Sequence, residues 1–192
     1  MTPPTDKPLR ADARRNRARV LDAAEAVVAA KGVAASTEEI AQRAGVGVGT
    51  VFRHFPTKEA LLAAIVAGRL RRLAEQADAL ADAEDPGAAF FAFFTRVIEH
   101  SATKLAFVDA LTEAGVDVEE AVSEVGQELR RALGTLLSRA KQAGAVRDDV
   151  GVTELIALLV GASRAAQHAR DGDVRARTVA IVLDGLRPRP SR

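Results

Sequence analysis

The stretch that decides the fold is STEEIAQRAGVGVGTVFRHFPTKEAL, which runs from Ser36 to Leu61. Ser36, followed three residues later by Glu39, forms the pattern of a capping box and predicts the start of a helix. Gly45 predicts the end of that helix, because glycine adopts the left-handed backbone of many helix ends without steric cost. The sequence therefore predicts one short helix between these signals.

A second short helix is expected from Val48 to Phe55. Pro56 closes it, because a proline disfavours helical geometry in the residue before it. Thr57 is placed to cap a third helix that begins at Lys58. Two short helices joined by so small a turn must cross steeply, which is the arrangement of a helix-turn-helix.

The second short helix has few residues that can pack inward and many that should face outward. Val51 and Phe55, four residues apart, give it a narrow inward face. Glycine inside so short a helix costs about 1 kcal/mol relative to alanine, and a helix that approaches a DNA duplex closely could justify that cost. Threonine, arginine and histidine can bond phosphate oxygens, and valine can touch a thymine methyl. The outward residues are Val48, Gly49, Thr50, Arg53 and His54.

Several residues of this stretch stand at the fixed spacings of a known motif. They are Thr37, Ile40-Ala41, Ala44-Gly45-Val46, Gly49-Thr50, His54-Phe55, Lys58-Glu59 and Leu61. With these residues at these spacings, the stretch resembles the DNA-binding motif of the TetR family of bacterial transcriptional regulators. The resemblance extends from about Arg17 to Ile65. Gly47 stands where the family often has serine, so the cap of the second helix is weaker. Phe52 stands where the family often has tyrosine, so a hydroxyl contact to phosphate is missing.

Side-chain chemistry and the resemblance together predict a DNA-contacting surface. Thr50 and Val48 are expected to read bases or their methyl groups, and Phe52 to support the surface through apolar contact. Polar side chains around them are expected to hold phosphates. The predicted DNA-binding residues are Thr37, Val48, Gly49, Thr50, Phe52, Arg53, His54 and Lys58.

Composition narrows the possible functions. The chain has 192 residues and no cysteine, which excludes disulfides and thiolate metal sites. It has no apolar run of the roughly 20 residues that a membrane span needs, and its first residues lack the apolar region of a secretory signal. We therefore expect a cytoplasmic protein without a membrane partner. The three histidines match no catalytic or metal motif, so neither an enzyme nor a cofactor is predicted.

Charge is distributed unevenly along the chain. Residues 1–72 contain 13 Lys and Arg against 7 Asp and Glu, whereas the rest of the chain is mildly acidic. Residues 1–9 are interpreted as a disordered arm. Five arginines follow within a short span and are expected to reach phosphates or a minor groove; the alternative is a solvated helix start. These residues are Arg10, Arg14, Arg15, Arg17 and Arg19.

Periodicity of apolar residues predicts helices throughout and no strand, so the fold class is all-α. The helices are expected at about 11–31, 37–44, 48–55, 58–80, 86–103, 104–114, 118–143, 152–169 and 174–186. The helix from residue 58 is longer than a compact head needs and is expected to join two cores. The predicted division is an arm at 1–9, a DNA-binding domain at 10–72 with its helix-turn-helix at about 36–55, an effector-binding and dimerisation domain at 73–187, and a tail at 188–192.

The predicted second domain carries an aromatic cluster. Four of the seven phenylalanines lie within residues 90–94, where they either form plain core or line an apolar ligand cavity. Arg96, Glu99 and Arg164 are interpreted as partners in ion pairs or as anchors for a polar group of an effector. The predicted ligand-pocket residues are Phe90, Phe93, Phe94, Val97, Phe107, Leu111, Leu133 and Arg164.

The last two helices carry more apolar residues than one buried face needs, and the run Gly161-Ala162-Ser163 permits close helix approach. The TetR resemblance implies that these helices form a homodimer, and a two-fold dimer suits a palindromic operator. The resemblance also implies a repressor that binds double-stranded operator DNA. An unknown small molecule would release this repressor from the DNA. Two alternatives remain: a regulator controlled by a protein partner rather than an effector, and a helical interaction module that no longer binds DNA.

Overall fold

The structure is a computed structural model that describes residues 7–32, 34–100, 102–169 and 171–188. These residues form ten helices and no strand, which confirms the all-α class. The helices are α1 (Lys7–Lys31), α2 (Thr37–Ala44), α3 (Val48–His54), α4 (Lys58–Ala79), α5 (Pro86–Glu99), α6 (Ala102–Glu113), α7 (Val118–Ala121), α8 (Ser123–Gln142), α9 (Val152–His168) and α10 (Gly172–Leu186).

The chain divides into two compact units. The first contains the chain up to Val66 together with Ala106–Ala121, and the second contains Ala67–Leu105 together with the chain from Val122 onward. Helix α4 is continuous through the point of division. The predicted domain boundary between residues 72 and 73 stays a prediction.

The core of the first unit lies where α1, α2 and α3 pack against one another. Val20 and Ala24 of α1 are fully buried. Ile40 of α2 and Val51 of α3 keep at most 2% of their surface exposed. Burying these apolar side chains stabilises the three helices together, since helices this short are marginal alone. The result is a rigid base under the outward face of α3.

The core of the second unit is organised around α5, which packs against α8, α9 and α10. Asp85 caps α5 through a hydrogen bond from the amide of Ala88 at 2.9 Å, and Pro86 occupies the first helical position. The aromatic side chains of α5 are the largest members of this core. The buried core includes Phe90, Phe93, Phe94, Val97, Ile98, Leu133, Leu136, Leu137, Leu155, Leu159, Val179 and Leu186.

The start of α1 and the end of α5 differ from the sequence prediction. Helix α1 begins at Lys7 rather than near residue 11, so residues 7–9 are helical; residues 1–6 of the predicted arm lie outside the described residues. Helix α5 ends at Glu99 rather than at residue 103, with His100 as its cap. Four residues of the predicted tail, 189–192, also lie outside the described residues.

The predicted helix 118–143 is in fact two helices, α7 and α8. Val122 separates them with φ −121° and ψ 15°. Asp117 accepts a hydrogen bond from the amide of Glu120 at 3.1 Å and caps the single turn of α7. No glycine or proline marks the break, so apolar spacing alone predicts one uninterrupted helix. No described helix is long and apolar enough to cross a membrane.

Candidate nucleic-acid interface

The structure contains the predicted capping box at the start of α2. The amide of Glu39 donates to Ser36 Oγ at 3.2 Å, and the amide of Ser36 donates to Glu39 Oε2 at 3.1 Å. At the other end Gly45 adopts φ +64°, and the amide of Val46 donates to the carbonyl of Ala41 at 3.0 Å. Both ends of α2 are therefore closed by the residues that the sequence indicated.

A salt bridge ties α1 to the start of α2. Lys31 Nζ contacts Glu39 Oε1. The Lys31 hydrogen bond, followed by that of the Ser36 amide, holds the pKa of the Glu39 carboxyl below its ordinary value. The charged carboxylate thus supports the first turn of α2, where a negative charge also favours the helix dipole.

Helix α3 has the narrow inward face that the sequence predicts. Val51 is 1% exposed and Phe55, which caps the helix, is 3% exposed. Gly47 precedes the helix and provides no side-chain hydrogen bond, in agreement with the weaker cap expected there. The position of α3 therefore depends on contacts other than a side-chain cap.

The eight residues predicted to contact DNA all lie at least partly at the surface of the first unit. Gly49, Phe52, Arg53 and Lys58 are exposed, and Phe52 keeps 46% of its surface accessible although it is a large apolar residue. The others, Thr37, Val48, Thr50 and His54, are half-buried. An added Cβ at Gly49 would meet nothing within 4 Å. Nothing inside the described structure thus requires a glycine there.

Helix α4 begins next to this surface with a cap of its own. Thr57 Oγ1 accepts a hydrogen bond from the amide of Ala60 at 3.1 Å. Backbone and Thr57 hydrogen bonds hold the pKa of Glu59 below its ordinary value. Lys58 is the exposed first residue of the helix, so its ammonium group is free to point to solvent.

Three of the five arginines predicted to reach DNA have partners inside the protein. Arg15 pairs with Asp12. The Arg17 guanidinium lies over the ring of Phe55, 5.0 Å from its centroid. Arg19 Nη2 donates to the carbonyl of Ala44 at 2.6 Å and to that of Gly45 at 3.4 Å. The side chains of Arg10 and Arg14 lie outside the described residues.

These arginine contacts escaped the sequence reasoning. Arg17 and Arg19 bind a ring and two carbonyls from distant parts of the chain, and such partners leave no local pattern. The only sequence pattern that involves these residues is the density of arginines near the amino terminus, and this pattern favours contacts with phosphates rather than contacts inside the protein.

Five of the predicted ligand-pocket residues meet in the core of the second unit: Phe90, Phe93, Phe94, Val97 and Leu133. Phe107 and Leu111 are fully buried but belong to the first unit. Arg164 is half-buried on α9.

The other two candidate anchors lie at the end of α5. The Arg96 guanidinium lies 5.9 Å from the ring centroid of Phe93, and Glu99 is exposed. The last residue of the predicted second domain also makes a contact, because the Arg187 guanidinium lies 4.5 Å from the ring centroid of Phe91.

Helices α9 and α10 share an open, almost entirely apolar groove. Its lining consists of Glu154, Ala157, Leu158, Gly161, Ala162, Ala165, Thr178 and Val182. Beside it Ile181 is 65% exposed and Val174 is 51% exposed. Exposed apolar patches of this kind are found at protein-interaction and ligand-binding sites.

Two family profiles match the chain. Residues 20–65 match "Bacterial regulatory proteins, tetR family", and residues 85–188 match "Transcriptional regulator SbtR-like, C-terminal domain". The chain belongs to the TetR family. The first profile covers the helix-turn-helix and its outward face, so this TetR-family chain is a DNA-binding transcriptional regulator.

Solved structures of other proteins are similar in fold over nearly the whole chain. A TetR regulatory protein from Mycobacterium vanbaalenii is 44% identical, with 94% of this chain and 99% of that chain covered and a TM-score of 0.74. A TetR regulator from Streptomyces coelicolor is 35% identical, with coverages of 90% and 98% and a TM-score of 0.69. RolR in complex with the ligand resorcinol is 22% identical, with coverages of 91% and 89% and a TM-score of 0.61, and shares the fold.

Proposed function

We propose that this TetR-family regulator is a repressor that binds a palindromic operator as a homodimer and is released by a small molecule. The observation that carries the proposal is the outward face of α3. Seven residues long, α3 buries Val51 against the first unit and leaves Phe52 and Arg53 exposed. A helix with so little inward contact and so many groups suited to phosphates and base edges is built to enter a major groove.

Within this face we assign two kinds of contact. Thr50 and Val48 read base edges and thymine methyls, and Phe52 covers the apolar part of the groove wall. Thr37, Arg53, His54 and Lys58 hold phosphates and set the register of the protein on the duplex. Gly49 lets the helix backbone approach the DNA closely. No neighbour inside the described structure accounts for a glycine at this position, since a Cβ added there would meet nothing within 4 Å.

The groove on α9 and α10 is the proposed dimer interface. The groove side of α9 presents Ala157, Gly161 and Ala165, which allow another helix to approach closely. Leu158 and Ile181 supply large apolar side chains beside them. A second copy of the chain covers these groups by two-fold symmetry and places two α3 helices on successive half-sites.

The proposed effector binds among the aromatic residues of the second unit. Phe90, Phe93 and Phe94 lie in one buried cluster with Leu133, and a ligand that opens space among them should be apolar or aromatic. The similarity of fold to RolR, which binds resorcinol, supports the same class. An effector that prefers the non-binding arrangement by about 1–3 kcal/mol lowers DNA affinity about 5–150-fold. Helix α4, one helix with residues in both units, is the element through which we expect this preference to act.

The test is selection of bound duplexes from a random DNA pool at about 0.15 M salt, where nonspecific phosphate binding is weakened. We expect an enriched palindrome, and titration of that palindrome should fit one dimer per duplex. Bulk binding that depends only on salt would overturn the operator assignment. Small aromatic compounds are then screened for release of the labelled palindrome. A regulator that binds the palindrome but is released by no compound, and is released by a co-purifying protein, would be controlled by a partner instead.

A further inference from the structure

We infer that Arg19 is a positioning residue for DNA recognition: its guanidinium fixes the turn from which the recognition helix α3 begins. The inference rests on the operator binding proposed above. It assigns to α1 a part in recognition that requires no contact between Arg19 and DNA.

The contact lies at the carboxyl end of α2. The amides of Gly45 and Val46 bond the carbonyls of Ala41 and Gln42. Arg19 Nη2 donates instead to the last carbonyl of the helix, that of Ala44 at 2.6 Å, and lies 3.4 Å from the carbonyl oxygen of Gly45. A positive charge at this end also favours the helix dipole. The guanidinium therefore holds the point where the chain leaves α2.

The turn and the guanidinium fit each other closely. A Cβ added at Gly45 would lie 2.8 Å from Arg19 Nη2, and the φ of +64° at this residue would strain any other side chain. The turn Gly45-Val46-Gly47 contains two glycines, which restrict the backbone least of all residues. A fixed donor from α1 removes the freedom that these glycines leave.

The other end of α3 is held from the same helix. The Arg17 guanidinium stacks over Phe55, the residue that caps α3, at 5.0 Å. Gly47 gives α3 no side-chain cap. Arg19 instead holds the turn that precedes α3, at Ala44 and Gly45, and Arg17 holds Phe55 at the end of α3.

Fixing α3 matters more for base reading than for phosphate binding. Hydrogen bonds weaken steeply when their distances or angles depart from the optimum, and base edges do not move to meet the protein. Long phosphate-binding side chains adapt to a small shift of the backbone. A loosened α3 should therefore lose discrimination between operator and random DNA before it loses general affinity.

The test compares Arg19→Met with Arg15→Met in the full chain. Arg15 is the matched control because it belongs to the same basic span of α1, so both variants lose one positive charge of that span, whereas Arg15 pairs only with Asp12 among the contacts described and does not touch the turn before α3. Both variants are titrated with the selected palindrome and with a random duplex at several salt concentrations. We expect Arg19→Met to bind the palindrome about tenfold more weakly than Arg15→Met, the effect of losing one charge-assisted hydrogen bond. Random-duplex affinity and the salt slope should be the same in both.

Two further variants keep the test decisive. Arg19→Lys retains the charge but not the planar guanidinium, so it should lose discrimination as Arg19→Met does. It also carries the comparison if circular dichroism shows that Arg19→Met is unfolded at the assay temperature. Gly45→Ala disturbs the same contact from the other side and also strains the turn at φ +64°, so its loss of discrimination should be at least as large as that of Arg19→Lys.

Three results would overturn the inference. Equal palindrome affinity of the Arg19→Met and Arg15→Met proteins would remove the positioning role. A salt slope lower by about one unit in Arg19→Met alone, restored by Arg19→Lys, would show a direct phosphate contact instead. A lower melting temperature with unchanged discrimination would leave Arg19 a purely structural residue. If the wild-type protein itself fails to distinguish the palindrome from random DNA, the proposed function fails, and the inference fails with it.

Discussion

At the scale of single residues, Gly49 separates the needs of DNA binding from those of folding. It lies inside α3 with nothing near an added Cβ, so Gly49→Ala should stabilise the free protein by up to about 1 kcal/mol. The same methyl group would stand between the helix and the duplex. We expect operator affinity to fall about tenfold, which corresponds to ~1.4 kcal/mol of steric conflict.

Thermal unfolding and operator titration of Gly49→Ala measure these two opposite effects. Gly134→Ala is the matched control, because Gly134 is a helical glycine of α8 that also has open space around it. It should gain stability without a change in DNA affinity. Unchanged operator binding by Gly49→Ala would refute the close approach of α3.

Thr50 and Lys58 should behave differently because the proposed function assigns base reading to Thr50 and phosphate binding to Lys58. Thr50→Ala should weaken operator binding by about 1–3 kcal/mol while random DNA is affected less. Lys58→Ala should weaken both duplexes and reduce the salt slope by about one unit. Titrations of both duplexes at several salt concentrations distinguish the two patterns, and equal losses from both variants on both duplexes would contradict the assignment.

At the scale of elements, the start of α2 links a charge to helix stability. Hydrogen bonds from Lys31 and Ser36 lower the pKa of Glu39 below its ordinary value of 4.5 in the folded protein. A lowered pKa means that the ionised carboxylate stabilises the fold at neutral pH, and that this contribution is lost as the pH falls below about 4.5. Glu39→Gln should therefore be less stable than wild type at pH 7, and the two proteins should converge in acid.

Urea unfolding at a series of pH values measures this difference. Glu38→Gln is the control, since Glu38 is an exposed carboxylate in the same first turn of α2. The difference in unfolding free energy between pH 7 and acid should be as large in the Glu38→Gln protein as in wild type. A Glu39→Gln protein with the full wild-type dependence on pH would exclude the capping box as its source.

The elements also differ in how far sequence predicts them. Ser36, Glu39 and Gly45 act on neighbours a few residues away, and the structure confirms the cap at each end of α2. The break at Val122 has no glycine or proline, so the local sequence signals do not predict it. Likewise the contact of Arg19 with Ala44 joins residues 25 positions apart. Local chemistry predicted the short helices and the exposed face of α3, whereas the contacts that hold this face in place depend on the folded chain.

At the scale of the whole molecule, assembly should depend on the groove of α9 and α10. Ile181→Asp places a charge beside this apolar surface, where burial without a partner is costly. We expect the dimer to dissociate at least about tenfold more readily, because even 1.4 kcal/mol of that cost has this effect. Operator affinity should fall with it, because one head alone reads only half of a palindrome.

Sedimentation over a range of concentrations measures the dimer. Ala180→Asp is the control, since Ala180 is the exposed neighbour of Ile181 on α10 but has no large apolar side chain to bury in an interface. It should remain dimeric at the concentrations where Ile181→Asp is monomeric. A dimeric Ile181→Asp protein would move the interface elsewhere.

The first compact unit is discontinuous along the chain, and this has a consequence for engineering. It includes Ala106–Ala121, a segment in which Phe107 and Leu111 are fully buried. A hybrid regulator made by joining the first 66 residues to the sensor domain of another protein would therefore lack one segment of the first compact unit. Recombination between relatives should succeed more often when both segments are inherited from one parent.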